Sequence, residues 1–352
     1  MAKEPIIALD AMGGDHAPEM VLHGAEIALV RFPQLRFQLF GQEDVLGPLL
    51  EKLPTVKAAS TIHHAPNRIS GDMKPSAALR AGRNSSMRLA IDAVADGRAD
   101  CVVSAGNTGA LMALAKIVLK TMPGIDRPAL ATFLPTQRGE TVLLDMGANI
   151  DCTADNLVQF ALMGDAFARA VLGVIKPLIG ILNVGSEELK GHDSVREAAA
   201  RLKEFPGITF HGFVEGDDLG AGTVDVVVTD GFTGNIALKT AEGSVKLYTQ
   251  FLRAAFGSSL LAKCAYLLGR GAITRVKERL DPRRYNGAML LGLNGIVVKS
   301  HGSSDAVGFA NAVGVAADLI INGFLDRIRD ELVLLHPAPE GAPSAPADPA
   351  TA

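Results

Sequence analysis

The chain has 352 residues, enough for one large α/β domain or two smaller ones. It is 48% hydrophobic and 20% charged with 37 glycines, which excludes a disordered or fibrous chain and fits a packed enzyme. A net charge of −4 gives no global attraction to nucleic acid, so no nucleic-acid partner is expected.

Three cysteines, Cys101, Cys152 and Cys264, form no CxxC pair and have no metal-ligand spacing. They read as reduced thiols, and no metal site is expected. The N-terminus leads straight into an apolar run, so no signal peptide is expected. No stretch reaches the ~18 consecutive apolar residues of a membrane span, so any membrane contact should be peripheral.

In chain order, Ile6 to Leu9 reads as a buried strand ended by Asp10. Gly13 and Gly14 permit a tight turn, and Asp15 is placed to cap a helix that starts near Pro18. A strand is expected at 36–41, a helix at 43–52 and a strand at 56–65, with His63 and His64 near its end. Residues 72–76 open a helical region carrying Lys74, Arg80, Arg83 and Arg88. Asn84-Ser85-Ser86 caps the next helix, which ends at Gly97.

The opening pattern returns at Asp100 to Ser104, a strand that runs into Ala105-Gly106-Asn107-Thr108-Gly109 and an apolar helix. Strands at 129–135 and 140–144 lead to Asp145-Met146-Gly147-Ala148-Asn149 and a helix from 154 to 172. The strand 177–182 ends in Asn183 and a loop that reaches Lys190, before a helix running to about Leu202. A strand at 208–213 follows. The strand 224–228 ends in Thr229-Asp230-Gly231-Phe232-Thr233-Gly234-Asn235, and a long helix runs from about Ile236 to Phe256.

Residues 253–284 hold eight Lys or Arg against Glu278 and Asp281, with Phe256, Leu260, Leu261, Ala265 and Leu268 near helical spacing. Such a cationic, amphipathic segment suits an anionic lipid surface, a partner-binding helix or a hairpin packed in a dimer. Glycines 257, 269 and 271 are expected to break it. A last strand at 289–298 ends in Lys299-Ser300-His301-Gly302-Ser303-Ser304, and two helices complete the fold. Residues 336–352, rich in Pro and Ala, are expected to be disordered.

Strands alternating with helices predict a doubly wound, mostly parallel, Rossmann-like sheet. Ligands in such sheets sit beyond the carboxyl ends of the strands. Six predicted strand ends pair glycine with a polar residue, and a shared edge would gather them into one anion site. Loop N–H groups and amides from Asn107, Asn149, Asn183 and Asn235 can hold phosphate or an oxyanion, and Lys190 and Lys299 add point charges. There is no GxGxxG at the first turn, no P-loop and no GxSxG elbow. The pattern suits direct attack of a bound phosphate on an activated acyl group.

These same loops carry a family resemblance. Asp-Ala-Met-Gly-Gly-Asp-His-Ala-Pro (10–18), Lys-Pro-Ser (74–76), Ser-Ala-Gly-Asn-Thr-Gly-Ala-Leu (104–111), Gly-Ile-Asp-Arg-Pro (124–128), Asp-Met-Gly-Ala-Asn (145–149), Glu-Glu-Leu-Lys-Gly (187–191), Asp-Gly-Phe-Thr-Gly-Asn (230–235), Leu-Leu-Gly-Leu-Asn-Gly (290–295) and Lys-Ser-His-Gly-Ser-Ser (299–304) closely resemble bacterial phosphate acyltransferases, the PlsX family. Ser186 and Asn286 depart from the family pattern.

The resemblance implies a fold similar to phosphotransacetylases and isocitrate dehydrogenase-like enzymes, with one α/β catalytic domain over 1–335 and a protruding helical hairpin. It implies acyl transfer from acyl-[acyl carrier protein] to inorganic phosphate, feeding phosphatidic acid and phospholipid synthesis, with no cofactor. Lys190 and Asn235 match the family's catalytic pair. Asp10, Gly13, Gly14, His16, Asn107, Thr108, Asn149, His301 and Ser303 are expected around the phosphate. The segment 240–284 would serve dimerisation and membrane contact, with Phe256, Leu260, Leu261 and Leu268 expected to touch the membrane or the acyl chain. Implied partners are acyl carrier protein, a second copy, an anionic membrane and a membrane glycerol-3-phosphate acyltransferase. The implied location is the cytoplasm, peripherally at the inner face of the membrane. The residues alone leave open a phosphotransacetylase-like enzyme using acyl-CoA, an isocitrate-type dehydrogenase and a non-catalytic lipid-surface scaffold.

Overall fold

The computed structural model describes residues 4–335, so the expected disordered tail lies outside the described residues. Eleven strands make one sheet: β1 Ile6–Asp10, β2 Arg36–Gly41, β3 Ser60–His64, β4 Cys101–Ser104, β5 Ala129–Thr136, β6 Gly139–Leu144, β7 Leu178–Leu182, β8 Thr209–Val214, β9 Val226–Val228, β10 Ala288–Leu291 and β11 Ile296–Lys299. The helices are α1 Glu19–Arg31, α2 Glu43–Leu50, α3 Pro54–Ala58, α4 Pro75–Ala81, α5 Ser86–Ala95, α6 Thr108–Leu119 and α7 Ala154–Phe167. They continue as α8 Asp193–Glu204, α9 Asp218–Ala221, α10 Gly231–Gly257, α11 Leu260–Arg279, α12 Ala306–Ile321 and α13 Phe324–Leu335.

The sheet order is β3-β2-β1-β4-β11-β10-β5-β6-β9-β7-β8. The inner strands β1, β4, β9 and β11 are apolar on both faces, as a covered sheet requires, whereas the edge strands β3 and β8 are partly exposed. Ile7, Leu9 and Val103 join a core with α1, α7 and α12, whereas Ala8 and Val102 face a second core with α5 and α6. Side-chain caps fix several helix starts: Ser85 Oγ accepts from the Arg88 N–H, Thr153 forms a capping box with Asn156, and Asp230 and Asp305 cap α10 and α12. Among the described residues no single helix is long and apolar enough to cross a membrane.

The expectation of one shared carboxyl edge needs correction. The pairings of β10 with β11, β10 with β5 and β5 with β6 are antiparallel. The block β3-β2-β1-β4-β11 therefore runs opposite to the block β6-β9-β7-β8, with β10 and β5 between them. What the blocks share is a row: Leu9, Val103, Val298, Met289, Ala131, Leu144, Val228 and Ile181 face one another in register across the sheet. β1, β4, β11, β6, β9 and β7 all end within one residue of that row. Their carboxyl ends thus meet at the midline from opposite directions.

Four local expectations also change. Residues 56–58 are helical, because Pro54 starts a short helix that buries Val56, and the strand begins only at Ser60. The run 289–298 is a hairpin of β10 and β11, since Gly292 takes φ +85° and the chain turns back there. α11 continues through Gly269 and Gly271, because a cost of about 1 kcal/mol per glycine does not end a helix built from Leu, Ala, Lys and Arg. Asp15 does not cap α1, whose start at Pro18 has no side-chain cap; the Asp15 N–H donates instead to Gly302 O at 2.8 Å.

Candidate active site

Three loops of the first block form one cluster. Asp10 is buried where β1 ends, accepting from Ser86 Oγ at 2.6 Å and Ser104 Oγ at 2.7 Å. Burial raises its pKa, and the two hydroxyls oppose that rise. Asp10 therefore ties β1 to α5 and β4. A Cβ on Gly13 would lie 2.4 Å from Asp10 Oδ2, and Gly14, at φ +108°, approaches Gly302 O. Both must be glycine for the loops after β1, β4 and β11 to touch.

The second block supplies another cluster. Asp145 is buried, accepting from the N–H groups of Leu130, Ala148 and Asn149. A Cβ on Gly234 would lie 2.0 Å from Asp145 O, and one on Gly231 2.7 Å from Asn149 O, so α10 starts with its backbone against the 145–149 loop. Asn235 then projects from the first turn of α10 beside Gly147.

Between the clusters lies a cavity of about 370 Å³, the size of a small-molecule site. β5 residues Thr132 to Pro135 form its floor, and Thr108, Gly147, Asn235, Lys239, Glu242, Lys299 and His301 line it. Lys299 is its buried cation, 8% exposed. Burial lowers the Lys299 pKa to about 8, with Asp10 and Asp15 opposing the drop and Lys239 adding to it. Its Nζ donates to Ser300 O. His301 Nε2 lies 3.6 Å from Glu242 Oε1, and Lys239 Nζ donates to Glu242 Oε2 at 3.2 Å. Burial pushes the His301 pKa below the ordinary imidazole value; Glu242 opposes this, and Lys239, Lys299 and Lys246 reinforce it.

The cavity thus brings together Thr108, Asn235 and His301 from the expected set, with Asp10, Gly13 and Gly14 as supports. Other expected residues are committed elsewhere. Asn149 Nδ2 is buried, donating to Pro128 O and Asp145 Oδ2. Asn107 Oδ1 caps α6 while its Nδ2 donates to Gly71 O and Met73 O. His16 is exposed, its carbonyl taken by the Met20 N–H, and Ser303 is exposed; neither lines the cavity. Lys190 is exposed on the loop after β7, whose strand neighbours β9, the strand leading into the α10 turn that carries Asn235, and does not line the cavity. His63 stacks on Phe40 at 4.9 Å.

Sequence reasoning missed Glu242 and Asn286. Asn286 is buried, donates through Nδ2 to Ser300 Oγ, Ser304 Oγ and Gly308 O, and accepts from the His301 N–H. It sets the shape of the 299–304 loop, and its only sequence signal was its departure from the glycine common in the resembling family. For Lys299, a point charge by sequence, the signal of burial is a lysine that ends an apolar strand run. Among the described residues no cysteine lines the cavity, and Cys152 is a poor nucleophile, its pKa pushed up to about 12 by burial, Asp145 and Asp230.

α10 and α11 project as a hairpin in which no α11 residue is buried. Leu260, Leu261 and Leu268 face solvent at its tip, at 81%, 81% and 91% exposure. Phe256, expected beside them, is turned inward: it is half-buried, with its ring 5.5 Å from that of Tyr266.

Residues 6–327 match the model of a family described as "Fatty acid synthesis protein". The chain is 63% identical over 347 residues to a phosphate acyltransferase of Rhodospirillum centenum, covering 98% of both chains. It is 59% identical to a phosphate acyltransferase of Rhodospirillum rubrum, covering 96% of this chain and 97% of that one. Among solved structures, a phosphotransacetylase from Streptococcus pyogenes aligns with a TM-score of 0.62 at 20% identity, over 91% of this chain and 95% of that one. A Staphylococcus aureus phosphotransacetylase aligns with a TM-score of 0.56 at 18% identity, over 93% and 94%. The two structures share the fold, and the near-full-length identity to the two relatives carries the assignment: the chain belongs to the fatty acid synthesis protein family of PlsX-type bacterial phosphate acyltransferases, enzymes that transfer acyl groups.

Proposed function

We propose that this enzyme moves a fatty acyl group from acyl-[acyl carrier protein] to inorganic phosphate, giving acyl phosphate for phosphatidic acid synthesis. The observation that supports it best is a buried cation, Lys299, in a cavity that also holds Asn235 and, among the described residues, no cysteine. The Lys299 ammonium and the N–H groups of the glycine loops hold the phosphate. Asn235 Nδ2 donates to the thioester oxygen as negative charge grows on it. A phosphate oxygen attacks the carbonyl carbon, and the carrier thiolate leaves. Lys190 acts from the adjoining loop, neutralising charge once the donor is seated. His301, neutral near pH 7, accepts a hydrogen bond from the phosphate hydroxyl.

The fold shared with phosphotransacetylases favours a second reading, with acyl-CoA as donor. Thiol release with each donor separates them: kcat/KM should be higher with acyl-carrier protein, and the reverse order would favour the CoA reading.

The tip leucines and the cationic 253–284 segment support peripheral contact with the anionic inner face of the membrane. The same element, 240–284, is proposed to dimerise the protein, and a membrane glycerol-3-phosphate acyltransferase to consume the product. The double variant Leu260→Glu/Leu268→Glu should lose flotation with anionic vesicles by about tenfold or more. Unchanged flotation would remove the membrane proposal.

A further inference from the structure

The cavity continues into the hairpin. Val245, Lys246, Leu280 and Pro282 line it and also line a groove of about 610 Å³ between α10 and α11. That groove shares Leu252, Arg253, Phe256 and Ile273 with a hollow of about 470 Å³ nearer the tip, where Tyr266 forms part of the wall. The three spaces run end to end from Lys299 to the Phe256–Tyr266 pair.

The groove lies along the seam between the two helices. Val245, Thr249, Leu252 and Phe256 fall on one stripe of α10, and Tyr266 and Ile273 of α11 and the Leu280 that caps it recur every seven residues. In a filled seam such residues are buried; here all seven are half-buried. Cations flank the apolar floor: Lys246, Arg253 and Lys277. At the far end Lys277 Nζ sits 5.8 Å from the centre of the Tyr266 ring.

We propose that this groove takes the acyl chain of the substrate, and that Phe256 and Tyr266 close it and set the longest chain accepted. The proposal rests on the reading that the cavity transfers fatty acyl groups to phosphate. Continuity with the cavity argues for this occupant, because the groove gives a chain whose carbonyl lies near Lys299 a direct apolar path. Charge agrees: the product is an amphiphile whose anionic head would lie among Lys299, Lys239 and Lys246. Length agrees too. Fourteen residues of α10 separate Glu242 from Phe256, about 21 Å of helix, which is the reach of an extended chain of roughly sixteen carbons.

The test uses the full-length chain with eight-, sixteen- and twenty-carbon acyl-carrier donors. Ile273→Trp, which fills the middle of the groove, should raise the kcat/KM ratio of eight- to sixteen-carbon donor by about tenfold or more. Phe256→Ala should raise the relative rate on the twenty-carbon donor by about fivefold. Equal losses at every chain length overturn the proposal. If those losses accompany a changed sedimentation coefficient, the groove is a contact between copies; if they accompany lost vesicle flotation, it is a lipid contact. Should wild type release no thiol from any donor, the function reading fails, and binding of the fluorescent fatty acid cis-parinaric acid still tests the groove. Binding about tenfold weaker in Ile273→Trp than in wild type supports the proposal, and equal binding overturns it.

Discussion

Replacing Lys299 with methionine is expected to lower phosphate-dependent turnover by about a hundredfold or more, the usual loss when a group stabilising transition-state charge is removed from a water-poor site. Lys299 is the buried cation of the cavity, held beside Asp10 where β11 meets the loops after β1 and β4. Its pKa of about 8 gives the loss a second signature. Wild-type kcat/KM for phosphate should fall as pH rises through about 8 and the ammonium loses its proton, and the variant should lack that limb. The stability effect has the opposite sign. A lysine with a lowered folded-state pKa destabilises the native state while it is protonated, and that cost is relieved between pH of about 8 and the ordinary value of 10.5. Lys299→Met, which removes that cost, should therefore melt at or above the wild-type temperature at pH 7. Near-normal phosphate kinetics in a folded variant would remove Lys299 from the site.

The second large effect is expected at Asn235. Its amide projects from the first turn of α10 beside Gly147, where a donor can reach an oxygen that gains charge. Asn235→Ala should cost about 10²–10³ in kcat, about 2.7–4 kcal/mol of transition-state stabilisation, with little change in KM for phosphate. Asn235→Asp should do no better, because it sets an acceptor where a donor is required. Lys190→Ala separates the two cations. From its exposed loop, Lys190 should affect kcat/KM for the acyl donor and leave the pH limb of Lys299 in place. Activity within twofold of wild type in Asn235→Ala would contradict its role.

Much of this architecture was legible because glycine and small polar residues mark strand ends. The Asp10–Gly14, Gly106–Gly109 and Asp145–Asn149 loops announce themselves, and the structure explains Gly13 by the Asp10 carboxylate against it, Gly14 by its φ of +108°, and Gly231 and Gly234 by backbone contacts that no Cβ could share. Strand direction was not legible. An apolar run reads alike in either direction, so the opposed blocks and the β10–β11 hairpin appear only in the register. Nor could a sequence tell which amides are spent. Asn107 and Asn149 have the chemistry of phosphate ligands, yet local caps and carboxylates use them, as Asn286 is used to shape the 299–304 loop. Phe256 fits the amphipathic tip by spacing, but only the position of Tyr266 reveals that it turns inward.

The central claim is that phosphate bound in the Lys299 cavity takes the acyl group directly, without an acyl-enzyme. Single-turnover thiol release from a long-chain acyl-carrier protein, with enzyme in excess, tests it. The account predicts no thiol burst without phosphate, and one equivalent of acyl phosphate per thiol once phosphate is added. A stoichiometric burst in the absence of phosphate, with the acyl group retained on the protein, would contradict it.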